Sequence, residues 1–178
     1  MARKLIAIAA VACGITLATP ASARAQDTDV DATVRRWLLN TCGVGEADAP
    51  VQELRRHGTV AVPFLLRAFE QGPDADALAQ LIPVANQRFD RRQELLARGT
   101  GLGLTTAQVA LARQVTRADY RAQVRTDFVH QYRSEAVRAL GVVGGADAIE
   151  LLERVASDTD SPFRAAARAA LITLGSSR

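Results

Sequence analysis

Residues 133–175 read RSEAVRALGVVGGADAIELLERVASDTDSPFRAAARAALITLG, and this stretch decides the fold. Shifted by 31 positions, its start lies over its end: Arg133 falls on Arg164, Ala136 on Ala167, Ala139 on Ala170, Leu140 on Leu171, Val143 on Leu174 and Gly144 on Gly175. The shared pattern is R-x-x-A-x-x-A-L-x-x-(V/L)-G. Its apolar steps of three and four residues mark one face of a helix. Between the copies, Ile149, Leu152, Val155 and Ala156 form a second stripe after the Gly144-Gly145 stop. A further overlay, shifted by 87, sets Gly58–Ala68 under Gly145–Val155, with Gly, Ala, Leu and Arg retained and apolar positions kept apolar. No single helical pair here hides much apolar surface, so each needs a neighbour. Self-similarity of helical pairs at a fixed period predicts an all-α solenoid.

The stretch resembles the HEAT-repeat family, in its short form of about 30 residues per unit. Ala139-Leu140-x-x-x-Gly144 matches the close of that family's first helix, and Ala148-Ile149-x-x-Leu152 the opening of its second. The resemblance covers 132–175 closely and 51–71 in part, and does not extend to 74–130. It implies a curved stack of helical hairpins that binds proteins without catalysis. Some short-repeat relatives are bilin lyase subunits, but nothing in this chain carries that chemistry.

Working outward, every segment after residue 26 reads as helix. Helices are expected over Asp31–Thr41, Val51–Arg56, Thr59–Gln71, Asp74–Arg98, Thr105–Val143, Ala146–Ser157 and Pro162–Leu174. Thr105 and Gln108 have capping-box spacing. Ser161-Pro162 places a capping hydroxyl before a proline at the first helical position. Gly72-Pro73, Gly144-Gly145 and Gly175 stop helices. Gly99-Thr100-Gly101-Leu102-Gly103 links the two longest segments as a turn or hinge; it lacks the lysine ending of a phosphate loop. Pro83 falls inside a helical run and is expected to kink or split it near Ile82. Segment 74–130 is thus an extended, atypical helical pair within a domain spanning 26–178.

Residues 1–25 read as a secretory signal peptide. Arg3 and Lys4 precede the uncharged run LIAIAAVACGITLA, and Ala23-Arg24-Ala25 fits a cleavage site. The run is too short to span a bilayer. Cys13 offers only a loose lipobox, so cleavage near Ala25 and export to the periplasm or medium are expected. The formal net charge of +3 belongs to this leader: Arg3, Lys4 and Arg24 lie in it, no acid does, and the remainder is balanced. Basicity therefore gives no argument for nucleic-acid binding, and aromatics, 4% of the chain, offer no base-stacking series. Loss of the leader takes Cys13 with it. Cys42 then lacks an intramolecular partner, and Leu38, Leu39 and Val44 around it predict a buried, inert thiol.

Charge in the remainder is uneven. Residues 88–138 hold ten Arg and five acids. Arg113, Arg117, Arg121 and Arg125 recur every four residues, as neighbours along one helical ridge. The ridge is either a solvated face paired with nearby acids or a docking surface for an acidic protein or an anionic envelope polymer, and it is expected to be dispensable for folding. Phe128, Tyr132 and Tyr120 are expected to pack in the core against the C-terminal hairpins, and Trp37 to close the N-terminal end of the stack. His57 and His130 have no metal-ligand spacing, and no motif pairs His57 with Cys42 as base and nucleophile. The sequence thus predicts a non-enzymatic, exported protein–protein interaction module without cofactor or metal. Its rivals are an enzyme or enzyme subunit with a site assembled only in three dimensions, and a self-assembling envelope element.

Overall fold

A computed structural model of the chain describes residues 21–45, 51–99 and 103–176. All of its regular elements are helical, and no strand occurs among the described residues. They are α1 (Ala21–Thr41), α2 (Val51–His57), a 3-10 turn (Gly58–Ala61), α3 (Val62–Gln71), α4 (Ala75–Arg98), α5 (Thr106–Gln114), α6 (Arg117–Val143), α7 (Ala146–Ser157) and α8 (Arg164–Ser176). Residues 1–20 of the expected leader lie outside the described residues, and 21–25 form the first turn of α1. No helix among the described residues is long and apolar enough to cross a membrane.

Local chemistry sets the boundaries. In α1 the buried Val30, Val34 and Leu38 recur every four residues, and buried Cys42, just past its end, keeps the spacing. Gly43 then turns left-handed, and its N–H and that of Val44 return to the Asn40 and Leu39 carbonyls. Asp74 caps α4, its carboxylate accepting from the Ala77 N–H at 2.7 Å. The Thr105–Gln108 capping box forms in full.

One expectation is narrowed here and one corrected. Of the kink or split expected at Pro83, the split does not occur: α4 continues through it. The hydrogen bond that proline cannot give would have gone to the Ala79 carbonyl. Ala79 and Pro83 are both exposed, so water can take that role. The expected Thr105–Val143 helix is instead two, because Thr116 starts a new one: its Oγ1 accepts from the Asp119 N–H at 3.1 Å. Thr116-x-x-Asp119 is itself a start signal.

Helix α6 is the axis of assembly, packing on α1, α2, α3, α4, α7 and α8. Helices α2 and α3 lie to one side of its C-terminal half; α7 and α8 continue on from it, and α7 touches both α3 and α8. Leu54, Leu65, Val137, Leu140 and Leu152 are fully buried among these helices. Helix α4 lies along α6, and α5, with no buried side chain, rests on α4.

One contact occurs twice. Arg133 Nε donates to the Phe69 carbonyl at 2.5 Å, and Arg164 Nε donates to the Ala156 carbonyl at 3.2 Å. Arg133 overlays Arg164 at the shift of 31, and Phe69 overlays Ala156 at the shift of 87. Each arginine gives a cation to the last turn of an earlier helix, where carbonyls lack partners and the dipole is negative.

Candidate functional site

The α4–α6 pair holds most of the residues singled out above. The arginine series divides at the helix break: Arg113 is in the last turn of α5, and Arg117, Arg121 and Arg125 are on α6. Arg113 Nη2 donates to the Leu96 carbonyl at 2.7 Å. Arg117 grips Asp90 with both terminal nitrogens and lies 5.0 Å over the Phe89 ring. Arg121 Nε donates to Asn86 Oδ1 at 2.6 Å. The acceptors descend α4 as the arginines ascend α6, which defines an antiparallel pair laced along one seam. Three members of the series thus reach across to α4. Each exposed contact is worth only about 0–1 kcal/mol, but the seam fixes the register. Arg125 is exposed and in no ion pair among the described residues.

Beside Arg121 and Arg125 an apolar groove of 470 Å³ opens between the helices. Small side chains make it: Ala75, Ala79 and Ala85 on α4 and Ala122 on α6 leave room where larger residues would meet. Leu78 and Leu81 line it, as does Ile82, which is 51% exposed despite its size. Leaving an isoleucine this wet forgoes about 1 kcal/mol or more of burial.

The aromatics expected in the core are partly there. Phe128 and Tyr132 are buried and tilted against each other with ring centroids 5.8 Å apart. Both belong to the core that also holds Leu152, Phe163 and Ala167; Tyr132 shares a groove with Val34, Arg35 and Ala68, and Phe128 one with Cys42 and Leu81. Tyr120 meets Phe89 of α4. Trp37 is buried in α1. His130 stacks on Phe163 at 5.0 Å, while His57 lines a separate groove between α1 and α2. No cluster of three or more His, Cys, Asp or Glu able to hold a metal occurs among the described residues.

Cys42 is free and buried. Burial, and after it the Glu135 charge, pushes its thiol up to about 12. Burial, followed by the Asp74 carboxylate, pushes the Tyr132 phenol up to about 12 as well. At neutral pH Cys42 is a protonated apolar filler and not a nucleophile. Both groups hold their protons more tightly folded than unfolded, so their stabilisation is complete below about pH 9 and is lost as pH rises towards about 12. The urea midpoint is therefore expected to stay level up to about pH 8.5 and to fall above it. Cys42→Ala should make that fall shallower; an unchanged alkaline slope would show that the thiol is not desolvated.

The groove could not be read from the sequence, because its walls come from segments some 40 residues apart. The alternation of Ala with Leu and Ile over 75–85 was the signal available. Comparison with known proteins finds no matching family model, no matching curated protein and no matching solved structure.

Proposed function

We propose that this chain is an exported, non-enzymatic docking module in which HEAT-like hairpins carry an α4–α6 groove for an acidic amphipathic helix of another protein. In this reading α2 and α3, α6 and α7, and α8 are successive units of a short solenoid. The doubled arginine contact supports that order, since the shift of 31 pairs both donors and the shift of 87, carried one residue past Ala68 and Val155, pairs both acceptors. The α4–α5 segment is then an insertion between units, laid along the first half of α6.

The observation that carries the function is the groove's composition: an apolar trough with Ile82 exposed and two arginines, neither ion-paired among the described residues, on one rim. A helix laid there would bury its apolar stripe on Leu78, Ile82 and Ala122, in the way amphipathic helices fill grooves. Carboxylates one turn apart on its flank would meet Arg121 and Arg125. Apolar burial would supply most of the affinity, and charge the orientation and on-rate. The reading assigns the chain no catalytic step.

The test compares partner captured by the wild type, Ile82→Asp and Arg125→Glu. Both side chains are exposed, so both variants are expected to melt like the wild type. Each should lower capture about tenfold, the loss of roughly one well-placed contact. Raising salt should weaken wild-type capture and leave Arg125→Glu less affected. Undiminished capture by both variants would remove the groove from the account.

A further inference from the structure

A second cavity, of 580 Å³, is lined by α4 and α6, by Cys42 just past the end of α1 and by Val115 between α5 and α6. Its volume is in the usual range for small-molecule sites. The walls carry opposite charge. Arg88 and Arg92 stand one turn apart on α4; Asp119 and Asp127 stand two turns apart on α6. None of the four is in an ion pair among the described residues. Their present contacts are weaker ones. Arg88 reaches the Gly43 carbonyl at 3.3 Å, and Arg92 lies 5.7 Å over the Tyr120 ring. Asp119 accepts from the Thr116 hydroxyl, and Asp127 from the Gln123 amide. Between the walls, Leu81, Val124 and Phe128 make an apolar lining.

From this arrangement we propose that the cavity binds a small zwitterion with an apolar side chain, a free amino acid or dipeptide. The carboxylate would meet the arginines of α4, the ammonium would meet Asp127, and the side chain would rest on Phe128. Cations on one wall and carboxylates on the other, not paired with each other among the described residues, can be bridged by a ligand that carries both charges. A purely anionic ligand would be repelled by the α6 wall, and a purely cationic one by the α4 wall. Arg88 also straps α4 to the end of α1, so occupancy would stiffen that junction. The proposal is independent of the docking groove, which shares only Leu81 with the cavity.

The experiment is calorimetric titration of the full chain with Leu-Leu, N-acetyl-Leu-Leu and Leu-Leu-amide at low salt. Leu-Leu is expected to bind in the sub-millimolar range. Blocking either terminus should weaken binding about tenfold, the loss of one charge-assisted contact. Asp127→Asn, at an exposed position, should weaken Leu-Leu by a similar factor and leave N-acetyl-Leu-Leu unchanged. Absence of binding at millimolar Leu-Leu would overturn the proposal. So would equal affinity for the blocked peptides, or an Asp127→Asn variant that binds Leu-Leu as the wild type does. The blocked peptides probe the unaltered protein, so the result does not depend on any variant folding.

Discussion

Gly141→Ala is expected to destabilise the fold by about 2–3 kcal/mol, although alanine is the best helix former. The substitution should gain up to about 1 kcal/mol in helix propensity within α6. Against this, a Cβ at Gly141 would sit 2.7 Å from both Cα and Cβ of Ala170 and 2.8 Å from its carbonyl oxygen. Two of those atoms are backbone, so no rotamer change relieves the clash. Helices α6 and α8 would have to separate, opening the layer that buries Ala139, Leu140 and Ala167. Gly141→Val adds bulk at the same point and should cost more. Gly175→Ala is the control, since a Cβ there meets nothing within 4 Å. Urea denaturation of the three variants checks the argument. A Gly141→Ala midpoint at or above that of Gly175→Ala would mean that the helices do not approach as described.

That glycine also marks the limit of sequence reading. The repeat overlay sets Gly141 against Ile172, and Ile172 is exposed while Gly141 is buried against α8. One position of the pattern thus faces a following helix in the first copy and solvent in the second, so the letters alone show no rule. What could be read was local. The Thr105–Gln108 box and the Gly144 stop act through atoms within one turn of themselves, and each stands where its spacing put it. The α5–α6 break was missed although Thr116-x-x-Asp119 is equally local, because the apolar pattern on both sides suggested one continuous helix. Pro83 was only half legible for the opposite reason: whether it splits the helix depends on whether the Ala79 carbonyl can reach water, which is a matter of tertiary burial. The arginine ridge shows the same gap. Its spacing was legible, but whether it faces solvent or a neighbour depends on where α4 returns. Three of the four face Leu96, Asp90 and Asn86, leaving Arg125 as the member with no such tie among the described residues.

Arg133→Met is expected to cost about 2–3 kcal/mol, although arginine on a helix surface is usually replaceable. Its Nε–H reaches the Phe69 carbonyl at 2.5 Å and Nη2 reaches the Glu70 carbonyl at 3.4 Å, at the C-terminal end of α3. A hydrogen bond from a charged donor is worth about 1.5–3 kcal/mol where water is excluded. The guanidinium also lies 5.4 Å from the Phe69 ring centroid and 5.3 Å from that of Phe163, two rings that meet edge to face at 5.3 Å. Each such contact adds about 0.5–1 kcal/mol at a partly open site. Arg133 thereby joins α3, α6 and the turn that opens α8. Arg164→Met provides the comparison: one carbonyl bond instead of two, to Ala156 at 3.2 Å, without the paired rings, so a loss at the bottom of the charged-donor range, about 1.5 kcal/mol, is expected. Arg133→Lys separates charge from shape. An ammonium keeps the attraction to the helix end but cannot lie flat beside two rings while bonding two carbonyls. It should therefore recover less than half of the loss. If lysine restores full stability, the contact is the helix dipole alone. If Arg133→Met and Arg164→Met cost the same, the aromatic sandwich contributes nothing, and the two repeats are energetically alike as well as alike in pattern.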